Sequence, residues 1–225
     1  MMNSRQKLIQ LLQDIGPENI WRPVYDEYGQ LLAEGHEDMR DGAPEDLAGF
    51  DFQGKSVLDM GCNLGFYSFL AKRLGGGSVV GLDIDSQAIC GCNLLSELYG
   101  MDDIHFSCID FTGFTSDRPF DVVLLINFIG KKSLVKGIQP VLDICRRYAA
   151  GAIIVSARCR YHIQHSLGVK PEYMSKKYGK KYVQDEWFNT TLFLQNYLGA
   201  NLTQLSPNYD DTTLKRSFLL EFSPS

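Results

Sequence analysis

Asp59 and Asp83 each close a short apolar run, and the first leads through Met60 into the turn Gly61-Cys62-Asn63-Leu64-Gly65. Glycine has no Cβ and tolerates positive φ, so a turn with two glycines lets the backbone approach a ligand closely. Asn63, between them, belongs to one of the few other residue types that visit the left-handed region cheaply. Val57-Leu58 before the turn reads as a strand, and Phe66 to Leu74 after it as a helix. The second run, Ser78-Val79-Val80-Gly81-Leu82, ends at Asp83, where a carboxylate can accept hydrogen bonds from ribose hydroxyls. These residues together imply a nucleoside-cofactor site. A nicotinamide dinucleotide is disfavoured, because its fingerprint needs G-x-G-x-x-G and this turn offers G-x-x-x-G.

Two further groups of residues carry chemical potential. Six cysteines stand at 62, 90, 92, 108, 145 and 159, and Cys90-Gly91-Cys92 has no second pair and no histidine at zinc spacing. No metal site is expected, and the cysteines read as buried free thiols. Cys62, inside the turn, is expected to pack as a small side chain and not to act as a nucleophile. From Arg158 to Gln184 the chain is basic and tyrosine-rich, with Arg158, Arg160, His162, His165, Lys170, Lys176, Lys177, Lys180 and Lys181 among Tyr161, Tyr173, Tyr178 and Tyr182. A lysine run of this kind is a solvated face, a contact for a phosphate or carboxylate, or, with aromatics interleaved, a track for RNA.

The elements that must hold these residues are legible as an alternation. Strands are predicted at 56–60, 78–83, 104–108, 121–126 and 151–156, and helices at 65–74, 86–99 and 134–149, with Asp85 capping the second. Continuous apolar strands such as Val122-Val123-Leu124-Leu125-Ile126 argue for a parallel sheet covered on both faces, with ligands beyond its carboxyl ends. A helix near 190–198 and strands near 201–206 and 215–222, split by the turn Pro207–Asp211, read as an antiparallel finish. At the other end, Ser4 is expected to cap a helix carrying Leu8, Ile9, Leu11, Leu12 and Ile15, stopped at Gly16-Pro17. Residues 18–53 show little periodicity and read as an irregular segment that covers either cofactor or core. The expected organisation is an N-terminal helix and covering segment, 1–53, and a main domain, 54–225, with an insertion at 157–185.

Composition narrows the partners. The chain has 225 residues, 44% of them apolar, a net charge of −5 and a pI near 5.4. It can bury a full core but carries no global basic field to gather nucleic acid. No run of 18 apolar residues occurs and Met1 to Lys7 is polar, so a soluble, cytoplasmic chain without a membrane partner is expected.

The run LDMGCNLGFYS, followed by GLDID, resembles the first two motifs of class I S-adenosylmethionine-dependent methyltransferases. That resemblance implies an α/β fold: a doubly wound, mostly parallel seven-stranded sheet with an antiparallel last strand (Rossmann-like). It implies S-adenosylmethionine as cofactor. Asp59 would orient the loop and the amino-acid end of the cofactor, and Gly61, Cys62, Asn63 and Gly65 would form the loop itself. Asp83 would hold the ribose, Ile84 would wall the adenine slot, and Asp110 would take the adenine amino group with Phe111 packed nearby. Asn127 ends the fourth strand, where the methyl should emerge, and either touches the cofactor or caps the turn. Asn127-Phe128 lacks the prolines of the family's nucleic-acid amino methyltransferases, which disfavours methylation of a base amine. The stretch Gly54 to Ser68 is also similar to a branch that includes tRNA wobble-uridine carboxymethyltransferases.

Methyl transfer from a sulfonium is an in-line displacement, so positioning supplies much of the rate and a general base assists an acceptor that must lose a proton. His162 and His165, three residues apart in the insertion, are the candidate bases, with His36 beside them; His105, inside a strand, reads as structural. The expected acceptor is a small molecule. Two rivals remain open: an RNA-modifying enzyme that uses the basic 158–181 segment, and a cofactor-binding scaffold without catalysis.

Overall fold

The computed structural model describes residues 2–36, 43–207 and 214–222. The elements begin with α1 (Ser4–Ile15), β1 (Val24–Tyr25), β2 (Leu31–Ala33), α2 (Ala43–Ala48), β3 (Ser56–Met60), α3 (Phe66–Arg73), β4 (Ser78–Asp83), α4 (Ser86–Tyr99) and β5 (Ile104–Cys108). They continue with β6 (Phe120–Leu125), α5 (Lys131–Lys136), α6 (Gln139–Tyr148), β7 (Ala149–Arg158), β8 (Arg160–His162), α7 (Pro171–Tyr178), β9 (Val183–Gln184), β10 (Trp187–Asn189), α8 (Thr190–Leu198), β11 (Asn201–Gln204) and β12 (Lys215–Glu221). Seven strands form one sheet in the order β11-β12-β7-β6-β3-β4-β5, with β12 antiparallel to both its neighbours. The doubly wound, mostly parallel architecture and its reversed final strand are as the sequence predicts. Among the described residues no helix is long and apolar enough to cross a membrane.

The chain divides into two compact units, residues 1–40 with 51–115, and residues 41–50 with 116–225. In the first, β3, β4 and β5 run parallel in register, Val57 beside Val79 and Val79 beside Ile104. Val57, Leu58, Asp59 and Met60 are all buried, which is why β3 reads as a continuous apolar run. Helix α4 packs on α1 and is capped, as predicted, by Asp85, whose carboxylate accepts from the amides of Gln87 and Ala88. Helix α1 is capped one residue earlier than predicted. Asn3 accepts from the Gln6 amide at 2.9 Å and Gln6 bonds back to the Asn3 amide at 3.1 Å, a reciprocal box that leaves Ser4 inside the first turn. The segment after α1 is less irregular than its composition indicates. Buried Asp26 gathers the amides of Tyr28 and Gln30 and the Arg5 guanidinium, closing a β1–β2 hairpin.

The second unit holds β6, β7, β12 and β11, with the small sheet β8-β10-β9 made from the insertion and the residues after it. The single helix predicted over 134–149 is two, α5 and α6. Gly137 takes φ 112 between them, and Pro140, which lacks an amide proton, suits the first turn of α6 and not a helix interior. Tyr178 spans the break, donating to Leu134 O at 2.6 Å and accepting from the Ile138 amide at 3.2 Å. Tyr161, Tyr178 and Tyr182 are buried, the last two in an aromatic cluster with Phe188 and Phe193. Only Tyr173 of the insertion's four tyrosines is exposed. The turn Asn208–Asp211 lies outside the described residues.

Candidate functional site

The loop between β3 and α3 winds left-handed three times, at Gly61 (φ 81), Asn63 (φ 47) and Gly65 (φ 76). A side chain at Gly65 would also meet the Phe69 ring at 2.9 Å, so the position excludes a Cβ on both counts. The loop is bolted to the end of β4: the Gly61 and Cys62 amides donate to Leu82 O, and the Asn63 amide donates to Asp83 Oδ2 at 2.8 Å. The other Asp83 oxygen accepts from the Asp85 amide at 3.0 Å. Asn63 also reaches Asn19 O with its side-chain amide, tying the loop to the turn that follows α1.

Asp59 is buried and accepts from Ser68 Oγ at 2.6 Å. Burial pushes its carboxyl up to about 7, the Ser68 bond pulls the other way, and the nearby charge of Asp83 adds to the rise. Ser68 escaped the sequence reading because it lies within a run of apolar helix residues, where its single signal is polarity on the face that turns toward β3. Cys62 packs with Ile89, Cys92 and Phe106, and hydrogen bonding to Cys92 together with burial raises its thiol well above the ordinary range. It is a buried, packed thiol. Of the other cysteines, Cys92 and Cys145 are buried, but Cys90 and Cys108 are exposed. Cys90 lies on the outer side of α4 and Cys108 ends the edge strand β5, positions that the spacing of apolar residues does not distinguish from core.

Ile84 stands next to Asp83 with 70% of its surface exposed, an apolar side chain at the strand end with no core to fill. Asp110 caps a short turn, accepting both the amide and the hydroxyl of Thr112 on Oδ1; these bonds hold its carboxyl below the usual range. Phe111 follows, half-buried. Asp59, Gly61, Cys62, Asn63, Gly65, Asp83, Ile84, Asp110 and Phe111 all belong to the first unit, at or just beyond the carboxyl ends of β3, β4 and β5. His36 is exposed in this unit too, its amide bonded to Ile20 O and its ring edge-on to Trp21. Glu37 to Arg40 beside it lie outside the described residues. His105 is in β5 as predicted, but exposed on that edge strand.

Asn127 belongs to the second unit, two residues past β6, with φ 58. Its amide donates to Ser156 Oγ at 2.7 Å, and its side-chain oxygen accepts from Ser156 Oγ at 3.2 Å and Lys215 Nζ at 3.1 Å. His162 and His165 are neighbours, with ring centroids 4.3 Å apart. The i, i+3 spacing works here through a π-helical turn, which His162 caps by accepting the His165 amide on Nδ1. Nε2 of His162 lies 3.7 Å from Glu186. Glu186 and Asp185 both take positive φ in the β9–β10 turn, a conformation Asp tolerates but which the residue type of Glu186 does not announce.

A family model described as a methyltransferase domain matches residues 51–202. A ribosomal protein L11 methyltransferase of Klebsiella pneumoniae (strain 342) is 49% identical over 43 residues, 19% of this chain and 15% of that protein. The corresponding protein of Haemophilus influenzae is 44% identical over 57 residues, 25% of this chain and 19% of its own. The chain therefore matches less than a fifth of the length of these curated relatives. Among solved structures, the N-terminal domain of EvdMO1, crystallised with SAH and D-fucose, aligns over 98% of this chain and 97% of its own, with a TM-score of 0.64 and 19% identity. Magnesium protoporphyrin IX methyltransferase from Synechocystis PCC 6803 with bound SAM aligns over 82% and 80%, with a TM-score of 0.54 and 13% identity. At these identities the structural likeness is one of fold.

Proposed function

The chain belongs to the methyltransferase-domain family, and from that premise we propose that it transfers a methyl group from S-adenosylmethionine to a small-molecule acceptor in the cytoplasm. The observation that carries this reading is the bond from the Asn63 amide to Asp83, which fixes a left-handed glycine loop against an acidic strand end beside exposed Ile84. The residues fit the cofactor. Each Asp83 oxygen has one amide donor, and a carboxylate oxygen accepts two hydrogen bonds, so positions remain for ribose hydroxyls. Ile84 offers an apolar wall to adenine, and Oδ2 of Asp110, opposite the oxygen that Thr112 occupies, is the acceptor for the adenine amino group, with Phe111 packed beside it.

When bound, the cofactor supplies an electrophilic methyl on a sulfonium; the chain's own residues bind and orient. Gly61, Cys62, Asn63 and Gly65 would bring backbone close to the amino-acid end of the cofactor, and Asp59 would balance its ammonium. Asn127, immobilised by Ser156 and Lys215, presents a fixed strand end to the acceptor. His162 and His165, or His36, receive the acceptor's proton. Neighbouring folds crystallised with a sugar or named for a porphyrin support an acceptor of small-molecule size. The test is calorimetric titration with S-adenosylhomocysteine. Binding to the wild type that Asp83→Ala weakens at least tenfold, about 1.4 kcal/mol, is expected; no binding to the folded wild type overturns the reading.

A second reading, an RNA-modifying enzyme of the tRNA wobble-uridine carboxymethyltransferase type, draws on the lysines of α7 and the turn after it: Lys176, Lys177, Lys180 and Lys181. The burial of Tyr161, Tyr178 and Tyr182 weighs against it, since those rings are spent on packing and cannot stack on bases.

A further inference from the structure

Residues 19–22 are tied to the cofactor loop by an anchor at each end. At one end the Asn63 side-chain amide donates to Asn19 O at 3.3 Å, and Asn63 is the middle of the left-handed turn. At the other, the Arg22 guanidinium donates to the Tyr67 hydroxyl and lies 5.8 Å and 5.4 Å from the ring centres of Phe66 and Tyr67, the first two residues of α3. Between the anchors the side chains alternate. Ile20 and Arg22 are buried, whereas Trp21 keeps 44% of its surface exposed. Ile20 has extended backbone, and extended chain turns successive side chains to opposite sides. Trp21 therefore turns away from the core that Ile20 enters.

A second segment fixes the indole. The His36 amide donates to Ile20 O at 2.6 Å, and Gly35 lies so near Arg22 that a Cβ there would come within 2.5 Å of its backbone. This close approach sets the His36 ring at 81° to the indole with centroids 5.8 Å apart. A T-shaped pair holds the indole in one orientation, and His36 can cover at most one of its two faces. A large exposed ring, fixed beside the loop proposed to hold the cofactor's amino-acid end, has no core to fill. An indole face is the best aromatic partner for a cation, and the methyl donor carries its reactive charge at sulfur. We propose that Trp21 covers the sulfonium end of the cofactor and holds it by a cation–π contact, so that the site grips the charged donor more tightly than the neutral thioether left after transfer. This deepens the methyltransferase reading and rests on it. Donor and product differ by one methyl group and one positive charge, and Trp21 is the residue that reads the charge and so favours exchange of spent cofactor for fresh.

The experiment is calorimetric titration of the full chain with S-adenosylmethionine and, separately, with S-adenosylhomocysteine, in the wild type and in Trp21→Leu. No acceptor is present, so the donor is not consumed. The variant is expected to lose at least about fivefold in affinity for S-adenosylmethionine, while its affinity for S-adenosylhomocysteine stays near the wild-type value. Trp21→Phe, whose smaller ring has a weaker face charge, should fall between the two and decides if Trp21→Leu fails to fold. Equal losses for both ligands would reduce Trp21 to an apolar wall, and unchanged affinity for both would remove it from the site; either result overturns the proposal. Tryptophan emission gives an independent readout, because the chain has only Trp21 and Trp187. The change expected when S-adenosylmethionine is added to the wild type should vanish in Trp21→Leu, and a change that persists unaltered overturns the proposal too. A folded wild type that binds neither ligand sinks the methyltransferase reading itself, whereas binding of both with equal losses in the variant sinks only the role of Trp21.

Discussion

Asp59 sets the pH behaviour of the cofactor loop. Its carboxyl is pushed up to about 7, first by burial, so the ligand-free fold prefers the protonated acid. On the proposed placement of the cofactor's ammonium beside Asp59, the bound state would favour the carboxylate, and binding below about pH 7 would expel a proton. Affinity for S-adenosylhomocysteine is therefore expected to fall as pH drops below about 7, approaching tenfold per unit, and to level off above it. Titrations across that range test this, and Asp59→Asn should flatten the curve. The same shift has a stability consequence of opposite sense. Because the folded value exceeds the ordinary 3.8, Asp59's contribution is complete below about pH 4 and is lost as pH rises through about 7. Denaturation of ligand-free wild type beside Asp59→Asn should show the variant gaining over that window. None of this follows from residue types alone: a strand-end aspartate is ordinary in sequence, and only its burial and its nearness to Asp83, working against the Ser68 bond, push its carboxyl up toward neutrality.

At the scale of elements, the parallel strands and the helices that begin beside the cofactor loop were legible because their signals are local. A strand buried on both faces must be apolar throughout, and a helix needs a cap within one turn. The failures have equally local causes. Gly137 and Pro140 divide α5 from α6 within one apolar periodicity, and the β1–β2 hairpin is closed by Asp26 and not by a glycine turn alone. Tyr178 is the joint that makes the α5–α6 break tolerable, since it satisfies one acceptor and one donor there. Tyr178→Phe removes both bonds in a buried setting and is expected to cost roughly 1–3 kcal/mol. Urea unfolding should show a lower midpoint with an unchanged slope.

For the whole molecule, charge decides between the acceptor classes. The net charge of −5 repels a polyanion at long range, and the lysine run must overcome that field to hold RNA. A small-molecule enzyme is expected to show no saturable binding of bulk tRNA at physiological salt in filter-binding assays. Saturable binding that weakens steeply with added salt would favour the RNA-modifying reading instead.

Sequence by itself determined the family, the order of the main sheet's strands along the chain, and the glycine turn between β3 and α3 with the acids at its strand ends. All of these rest on residues close together in the chain, whose types must satisfy the backbone geometry that they themselves adopt. Tertiary structure alone decided which acid titrates, which tyrosines are core, and which cations share a face. Asp59 meets Ser68 where α3 folds back on β3, whereas Asn127 meets Lys215 and Arg158 faces Lys215 only once sheet register brings distant segments together. Register is a property of the folded sheet as a whole, fixed by the packing of many apolar side chains at once, and no single residue in the chain carries it.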